Sequence, residues 1–300
     1  MISAVIDIGS NSVKMLVAEG ANAVPVFEAH SDTRLSPNAE NARERIPDAA
    51  FAAGVEVVRS FAEKAREFAP AHTAIVGTSL LRTAENAPEF AAAVLRATGT
   101  PLRVLSGIEE AELVAAGVAT DPAVRTPCAI FDLGGGSLEF IAKPEGDEKK
   151  IFEESWRLGA VRMMRRFFAD PSGKIPDEEI AALRRHVRET VAAALPREIP
   201  ADAGAVFCGG AAKLCAKLSG RDLSEEIPVE IFDDLLRETC ARTLDERVSA
   251  GVPVKRADIF PAAVATLAEV CRLCAFPRFR VTSRNLRYGL CSRLNCGNAA

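Results

Sequence analysis

A ten-residue segment near the start of the chain recurs 125 positions later. Val5-Ile6-Asp7-Ile8-Gly9-Ser10-Asn11-Ser12-Val13-Lys14 aligns with Ile130-Phe131-Asp132-Leu133-Gly134-Gly135-Gly136-Ser137-Leu138-Glu139. Asp, Gly and Ser coincide at Asp7/Asp132, Gly9/Gly134 and Ser12/Ser137, and apolar positions match on both sides. Each copy reads as a strand, a tight turn of small residues and a second strand, which is a hairpin. A device repeated at constant offset implies two domains of related topology, each opening in the same way. The 300 residues suffice at roughly 150 per domain. We place the boundary in the proline-bearing loop at Asp121–Pro127, giving domains of 1–121 and 122–300.

The rest of the chain alternates strand and helix signals, an α/β pattern. Strands are predicted at 2–8, 12–19, 73–77, 102–105, 128–133, 137–143, 205–208 and 279–282. Helices are predicted at 48–68, from about 79 to 97, and at 109–119, 159–168, 177–195, 211–219, 231–247 and 257–275. With 48% hydrophobic and 26% charged residues, disorder, collagen and coiled coil are excluded. No apolar run approaches the ~20 residues of a membrane span, and the N-terminus does not read as a signal peptide. These features predict a soluble, cytoplasmic protein. A net charge of −4 gives no reason to expect duplex nucleic acid as a partner. Arginine clusters at Arg157, Arg162, Arg165 and Arg166, and at Arg278, Arg280, Arg284 and Arg287, read as solvated surface, although they could steer an anion. Cys271, Cys274, Cys291 and Cys296 have a spacing that zinc could use. The apolar stretch around the first two favours buried, free thiols instead.

The hairpin itself carries chemistry. Asp-x-Gly at a strand end puts a carboxylate at the lip of a sheet, and the glycines let backbone N–H groups turn outward as an anion nest. A carboxylate beside such a nest would repel phosphate unless a divalent cation lay between them. Mg²⁺ suits that place because it takes one or two carboxylates and fills its octahedron with water and phosphate oxygens. Two facing copies would grip a phosphate from both sides.

On these residues the chain resembles the exopolyphosphatase and guanosine pentaphosphate phosphohydrolase (Ppx/GppA) family of the actin-like ATPase superfamily. Six ordered blocks carry the resemblance: Ile6–Ser12, Thr78–Asn86, Leu105–Leu113, Phe131–Glu139, Gly209-Gly210 and Lys255–Asp258. The resemblance implies two duplicated actin-like (ribonuclease H-like) α/β domains with an interdomain active-site cleft. It implies hydrolysis of a terminal phosphoanhydride, with Glu110 as general base. It assigns Asp132 and Arg82 to the catalytic group, Arg82 pairing with a phosphate oxygen or forming an interdomain salt bridge. Asp7, Asp132 and Glu139 are the implied metal ligands, for Mg²⁺ or another divalent cation. Glu139 could instead be a plain outward-facing strand residue, and Glu110 a solvated helix-start carboxylate. Ser10, Asn11, Gly134, Gly135, Gly136, Ser137, Gly209 and Gly210 are the implied phosphate contacts.

The substrate is expected to be inorganic polyphosphate, with guanosine pentaphosphate, and hence the stringent response, as the alternative. A binding module without hydrolysis is a third reading. A homodimer is compatible with the family. The chain departs from the family pattern at Ser36-Pro37-Asn38, at Ala211-Ala212 after the glycine pair and at Ser283-Arg284-Asn285. The three histidines, His30, His72 and His186, lie outside all six blocks, so no nucleophilic triad is indicated.

Overall fold

A computed structural model describes residues 1–36, 45–124, 128–143, 152–195 and 204–297. It forms two compact units, Met1–Pro122 with Arg284–Ala300, and Ala123–Ser283. Part of the proposed boundary loop, 125–127, and the departure at Pro37-Asn38 lie outside the described residues.

In the first unit β1 (Ile2–Ile8), β2 (Val13–Glu19) and β3 (Val24–Ser31) form an antiparallel meander. Helix α1 (Asp48–Arg66) leads to β4 (His72–Gly77), which joins β1 in parallel. Helices α2 (Ser79–Thr83) and α3 (Ala87–Thr98) lead to β5 (Leu102–Val104), and α4 (Gly107–Ala119) follows. The sheet order is β3-β2-β1-β4-β5. Alternation along the strands sends Ala4, Ile6, Ile8, Val13, Met15 and Val17 into one core with Val58 and Phe90. Asp7, between Ile6 and Ile8, therefore faces the other side of the sheet.

The second unit repeats the plan. β6 (Cys128–Leu133), β7 (Leu138–Lys143) and β8 (Phe152–Trp156) form the meander. Then come α5 (Ala160–Phe167), α6 (Asp177–Ala192), β9 (Gly204–Cys208), α7 (Gly209–Leu218), β10 (Ile227–Pro228), α8 (Glu230–Cys240) and α9 (Leu244–Ser249). A 3-10 turn at Val254–Arg256, α10 (Phe260–Cys274) and β11 (Arg278–Val281) complete it, with sheet order β10-β11-β9-β6-β7-β8. A row of rings crosses five strands just below the hairpin loop. Trp156 lies against Phe140 (5.6 Å), Phe140 against Phe131 (4.8 Å), Phe131 against Phe207 (4.9 Å) and Phe207 against Phe279 (5.2 Å). Each such pair adds ~0.5–1.5 kcal/mol beyond simple burial, so the base of the loop is rigidly held.

Several expectations are corrected. The last segment does not stay with the second domain: α11 (Leu286–Asn295) belongs to the first unit. Ser3 Oγ donates to Asn295 Oδ1 (2.6 Å), and Arg287 Nη1 to Met15 O (3.2 Å). A division by position along the chain is blind to a helix that returns. The predicted helix over 79–97 is two helices, because Asn86 between them is spent on Ile46, giving and taking backbone hydrogen bonds of 3.0 and 2.9 Å. Residues 231–247 likewise form α8 and α9, since Thr243 opens a new capping box with Glu246. Strand β3 carries Pro25 and was not anticipated; at a sheet edge the missing N–H does no harm. The second arginine cluster is not all solvated: Arg287 is buried, and Arg284 Nη1 donates to the carbonyls of Asn22 (2.8 Å) and Ala23 (3.1 Å). Cys271 and Cys291 are buried, and burial pushes the thiols of Cys274 and Cys291 up to about 12. Among the described residues no helix is long and apolar enough to cross a membrane.

The seam between α4 and α11 requires two glycines. A Cβ on Gly289 would run into the carbonyl oxygen of Leu113, and one on Gly117 into that of Asn285. Both obstacles are backbone and cannot rotate away. Gly289→Ala is therefore expected to destabilise the protein by ~1–3 kcal/mol or more, read as a lowered midpoint in urea unfolding.

Candidate functional site

The two hairpins match in register as well as in sequence. Asp7 pairs with Lys14 and Ile8 with Val13 in the first, and Asp132 with Glu139 and Leu133 with Leu138 in the second. Gly9 N–H closes its turn on Ser12 O at 3.0 Å, and Gly134 N–H on Ser137 O at 3.0 Å. The following carbonyls are held from behind. Ser36 N–H donates to Ser10 O (3.1 Å) and Arg34 N–H to Asn11 O (3.0 Å). In the second loop Ala160 N–H donates to Gly134 O (3.0 Å), Val161 N–H to Gly135 O (2.9 Å) and Arg162 Nε to Gly136 O (3.1 Å).

In a trans peptide the N–H points opposite to the C=O. Drawing the carbonyls back therefore turns the N–H groups of Asn11, Ser12, Gly135, Gly136 and Ser137 outward. This corrects one expectation. Gly134 N–H is not available to phosphate, because it closes the turn; its carbonyl is the anchor that aims Gly135 N–H.

In the first unit two adjacent glutamates do different work. Ser106 caps α4: Glu109 N–H donates to Ser106 Oγ (3.1 Å), and Ser106 N–H to Glu109 Oε2 (2.8 Å). Glu110 is turned inward, 9% exposed, with Oε2 2.7 Å from Arg82 Nη1. The same nitrogen donates to Leu105 O at 3.0 Å. So Glu110 is not a solvated helix-start carboxylate; Glu109 fills that role. The Arg82 ion pair also lies inside the first unit, not between domains. This geometry fixes the direction of the Glu110 carboxylate through a charge-assisted hydrogen bond.

In the second unit Asp132 and Glu139 are cross-strand partners, so their side chains share one face of the sheet. Glu139 is 2% exposed and accepts a hydrogen bond from Ser155 Oγ at 2.8 Å, which rules out an outward-facing strand residue. The corresponding pair in the first hairpin is Asp7 with Lys14, a carboxylate with an ammonium. Burial raises the Asp7 carboxyl above its ordinary range, opposed by the charges of Lys14 and Arg287.

The glycine pair at the start of α7 has a steric explanation. Gly209 has φ +86°, and a Cβ there would stand 2.7 Å from Asp132 Oδ1. At Gly210 the space of a Cβ is taken by the Arg256 guanidinium. One glycine admits a carboxylate and the other a guanidinium, both beside the first amides of a helix that no side chain caps.

The family profile of the Ppx/GppA phosphatases matches residues 13–294. The chain belongs to the Ppx/GppA phosphatase family. Solved structures agree on the fold. An exopolyphosphatase-like protein superimposes with a TM-score of 0.90 at 21% identity, over 100% of this chain and 99% of that one. An exopolyphosphatase from Cytophaga hutchinsonii gives 0.85 at 20% identity, over 100% and 99%. The Aquifex aeolicus family member gives 0.80 at 21%, over 100% and 99%. The two α/β units described above make up the fold that these solved structures share.

The roles of three residues at this site escaped the sequence reading. Arg256 lies in a block that carried the family resemblance, yet nothing in the block shows that its side chain reaches Gly210. Ser155 acts from β8 through its hydrogen bond to Glu139, and Arg162, which the sequence shows only as one of an arginine cluster, holds the Gly136 carbonyl from α5.

Proposed function

We propose that this Ppx/GppA protein is an exopolyphosphatase that hydrolyses the terminal phosphoanhydride of inorganic polyphosphate and releases orthophosphate. The observation that carries the reading is the pair of register-matched loops whose carbonyls are tied back so that their amides face outward. Such amides suit phosphate oxygens and need no nucleoside. In this reading Glu110 accepts the proton of the attacking water, held in direction by Arg82, whose other nitrogens serve a phosphate oxygen. Because the transition state is loose, positioning and charge neutralisation supply most of the catalysis. The amides of Gly135, Gly136 and Ser137, the start of α7 at Gly209-Gly210, and Arg256 bind phosphoryl oxygens. Ser10, Asn11 and Ser12 do so in the first unit.

The donor set fits a divalent cation. Asp132 and Glu139 are two carboxylates on one face, with Ser155 orienting Glu139, and Mg²⁺ characteristically uses one or two carboxylates with water and phosphate. A bound cation there would offset the charge on the phosphate oxygens. Asp7 has Lys14 opposite it rather than a second carboxylate, and is assigned to orienting water.

Guanosine pentaphosphate is the second reading, favoured by one feature. Val254 is 65% exposed in the same 3-10 turn as Arg256 and offers an apolar surface to a purine. Phosphate release measured side by side on both substrates decides between them. A higher kcat/KM for polyphosphate is expected, and the opposite order transfers the assignment to the nucleotide. Removing divalent cations with excess EDTA should reduce release to background; an undiminished rate removes the cation from the reaction.

A further inference from the structure

We infer that Arg247 is a positioning residue that sets where the Arg256 guanidinium stands at the start of α7. The inference rests on the proposed role of Arg256 in holding substrate phosphate. Arg247 lies on α9 and is 0% exposed. Its hydrogen bonds go to main-chain carbonyls: Nε to Thr239 O (2.9 Å), Nη1 to Pro171 O (2.7 Å) and Ala257 O (3.2 Å), and Nη2 to Gly173 O (2.7 Å). These carbonyls come from the loop after α5, the last turn of α8 and the residue that follows the 3-10 turn. Asp170 and Asp258 act on it only through their charge at longer range.

Filling space does not account for such a group. A buried cation is costly to desolvate, and an apolar side chain of similar volume often serves stability as well or better. What a guanidinium offers that an apolar residue lacks is a rigid planar fork, able to hold several carbonyls at set angles. One of those carbonyls belongs to Ala257, the neighbour of Arg256. The 3-10 turn that carries Arg256 has little packing of its own: Val254 and Lys255 are exposed. Its attachments to the rest of the unit include Ile259 N–H to Arg256 O (3.2 Å), the buried Ala257 that follows it and the Arg247 hydrogen bond to the Ala257 carbonyl. Yet the Arg256 guanidinium must enter the space of the missing Gly210 side chain, where a small backbone shift would take it out of register with the α7 amides.

The test is a double-mutant cycle on the full chain with polyphosphate as substrate. Arg256→Ala should raise KM by about tenfold or more, as loss of a charge-assisted phosphate contact does. Arg247→Lys keeps the charge but loses the fork. It should raise KM severalfold with kcat, per folded molecule, little changed. In the double variant KM should equal that of Arg256→Ala alone. Effects on KM that multiply, or an Arg247→Lys variant that loses thermal stability with KM unchanged, overturn the inference while leaving the role of Arg256 intact. An unchanged KM in Arg256→Ala overturns the reading of Arg256 and this inference with it. KM does not depend on the concentration of active enzyme, so partial unfolding of a variant does not obscure the comparison. Should Arg247→Lys fail to fold, Arg247→Gln, a planar donor of similar reach, replaces it in the same cycle.

Discussion

Glu110→Gln is expected to lower kcat for phosphate release by ~10²–10⁴-fold, the usual contribution of a positioned general base. The substitution is nearly isosteric. The amide oxygen can still accept from Arg82 Nη1, now 2.7 Å from the carboxylate, and Arg82 keeps its bond to Leu105 O. Orientation should therefore survive while proton acceptance is lost, so the fall belongs to kcat with KM little changed. Stability should move by less than ~1 kcal/mol, since Arg82 remains partly solvated and screened. The neighbour supplies the control. Glu109→Gln weakens the Ser106 capping box and the exposed Arg103 ion pair (3.3 Å) and should leave turnover intact. A Glu110→Gln enzyme with kcat within a few-fold of the parent would remove this residue from the proton transfer.

Gly209→Ala is expected to be nearly as damaging, for a steric reason. The backbone at Gly209 has φ +86°, in the region that favours glycine, and a Cβ would sit 2.7 Å from Asp132 Oδ1. Adding a methyl group therefore strains the backbone by roughly 1 kcal/mol and displaces a carboxylate assigned to the cation. Relief requires moving either Asp132 or the first turn of α7, and both belong to the same site. We expect kcat/KM to fall by ~10²-fold or more, as misplacement by about an ångström can cost that much. Gly204→Ala, at the start of the preceding strand β9 with no neighbour within 4 Å and no positive φ, should be silent. Equal activity of the two variants would show that the approach of Asp132 to α7 does not matter for hydrolysis.

Much of the site was legible because it is local. Asp7, Gly9 and Ser12, and their counterparts 125 positions on, are adjacent in the chain, and a hairpin turn is dictated by its own residues. The glycine pair before α7 was equally visible, although its purpose was not. Gly209 and Gly210 are glycines because Asp132 and Arg256 arrive from elsewhere. The same limit explains the Gly134 amide. Glycine composition signals that the backbone can turn, but which N–H closes the turn and which faces outward depends on the α5 amides behind the loop.

The linear chain by itself determined the class of fold, its duplication and the two matching hairpin turns, because short-range periodicity and turn chemistry encode these; the glutamate segment was marked by the family resemblance. The tertiary structure alone decided that Glu109 caps while Glu110 pairs with Arg82, that Lys14 faces Asp7 where Glu139 faces Asp132, and that α11 completes the first unit rather than the second. Each of these depends on which distant segments share a face. That choice follows from burial and hydrogen-bond satisfaction summed over the whole molecule, which no window of sequence contains.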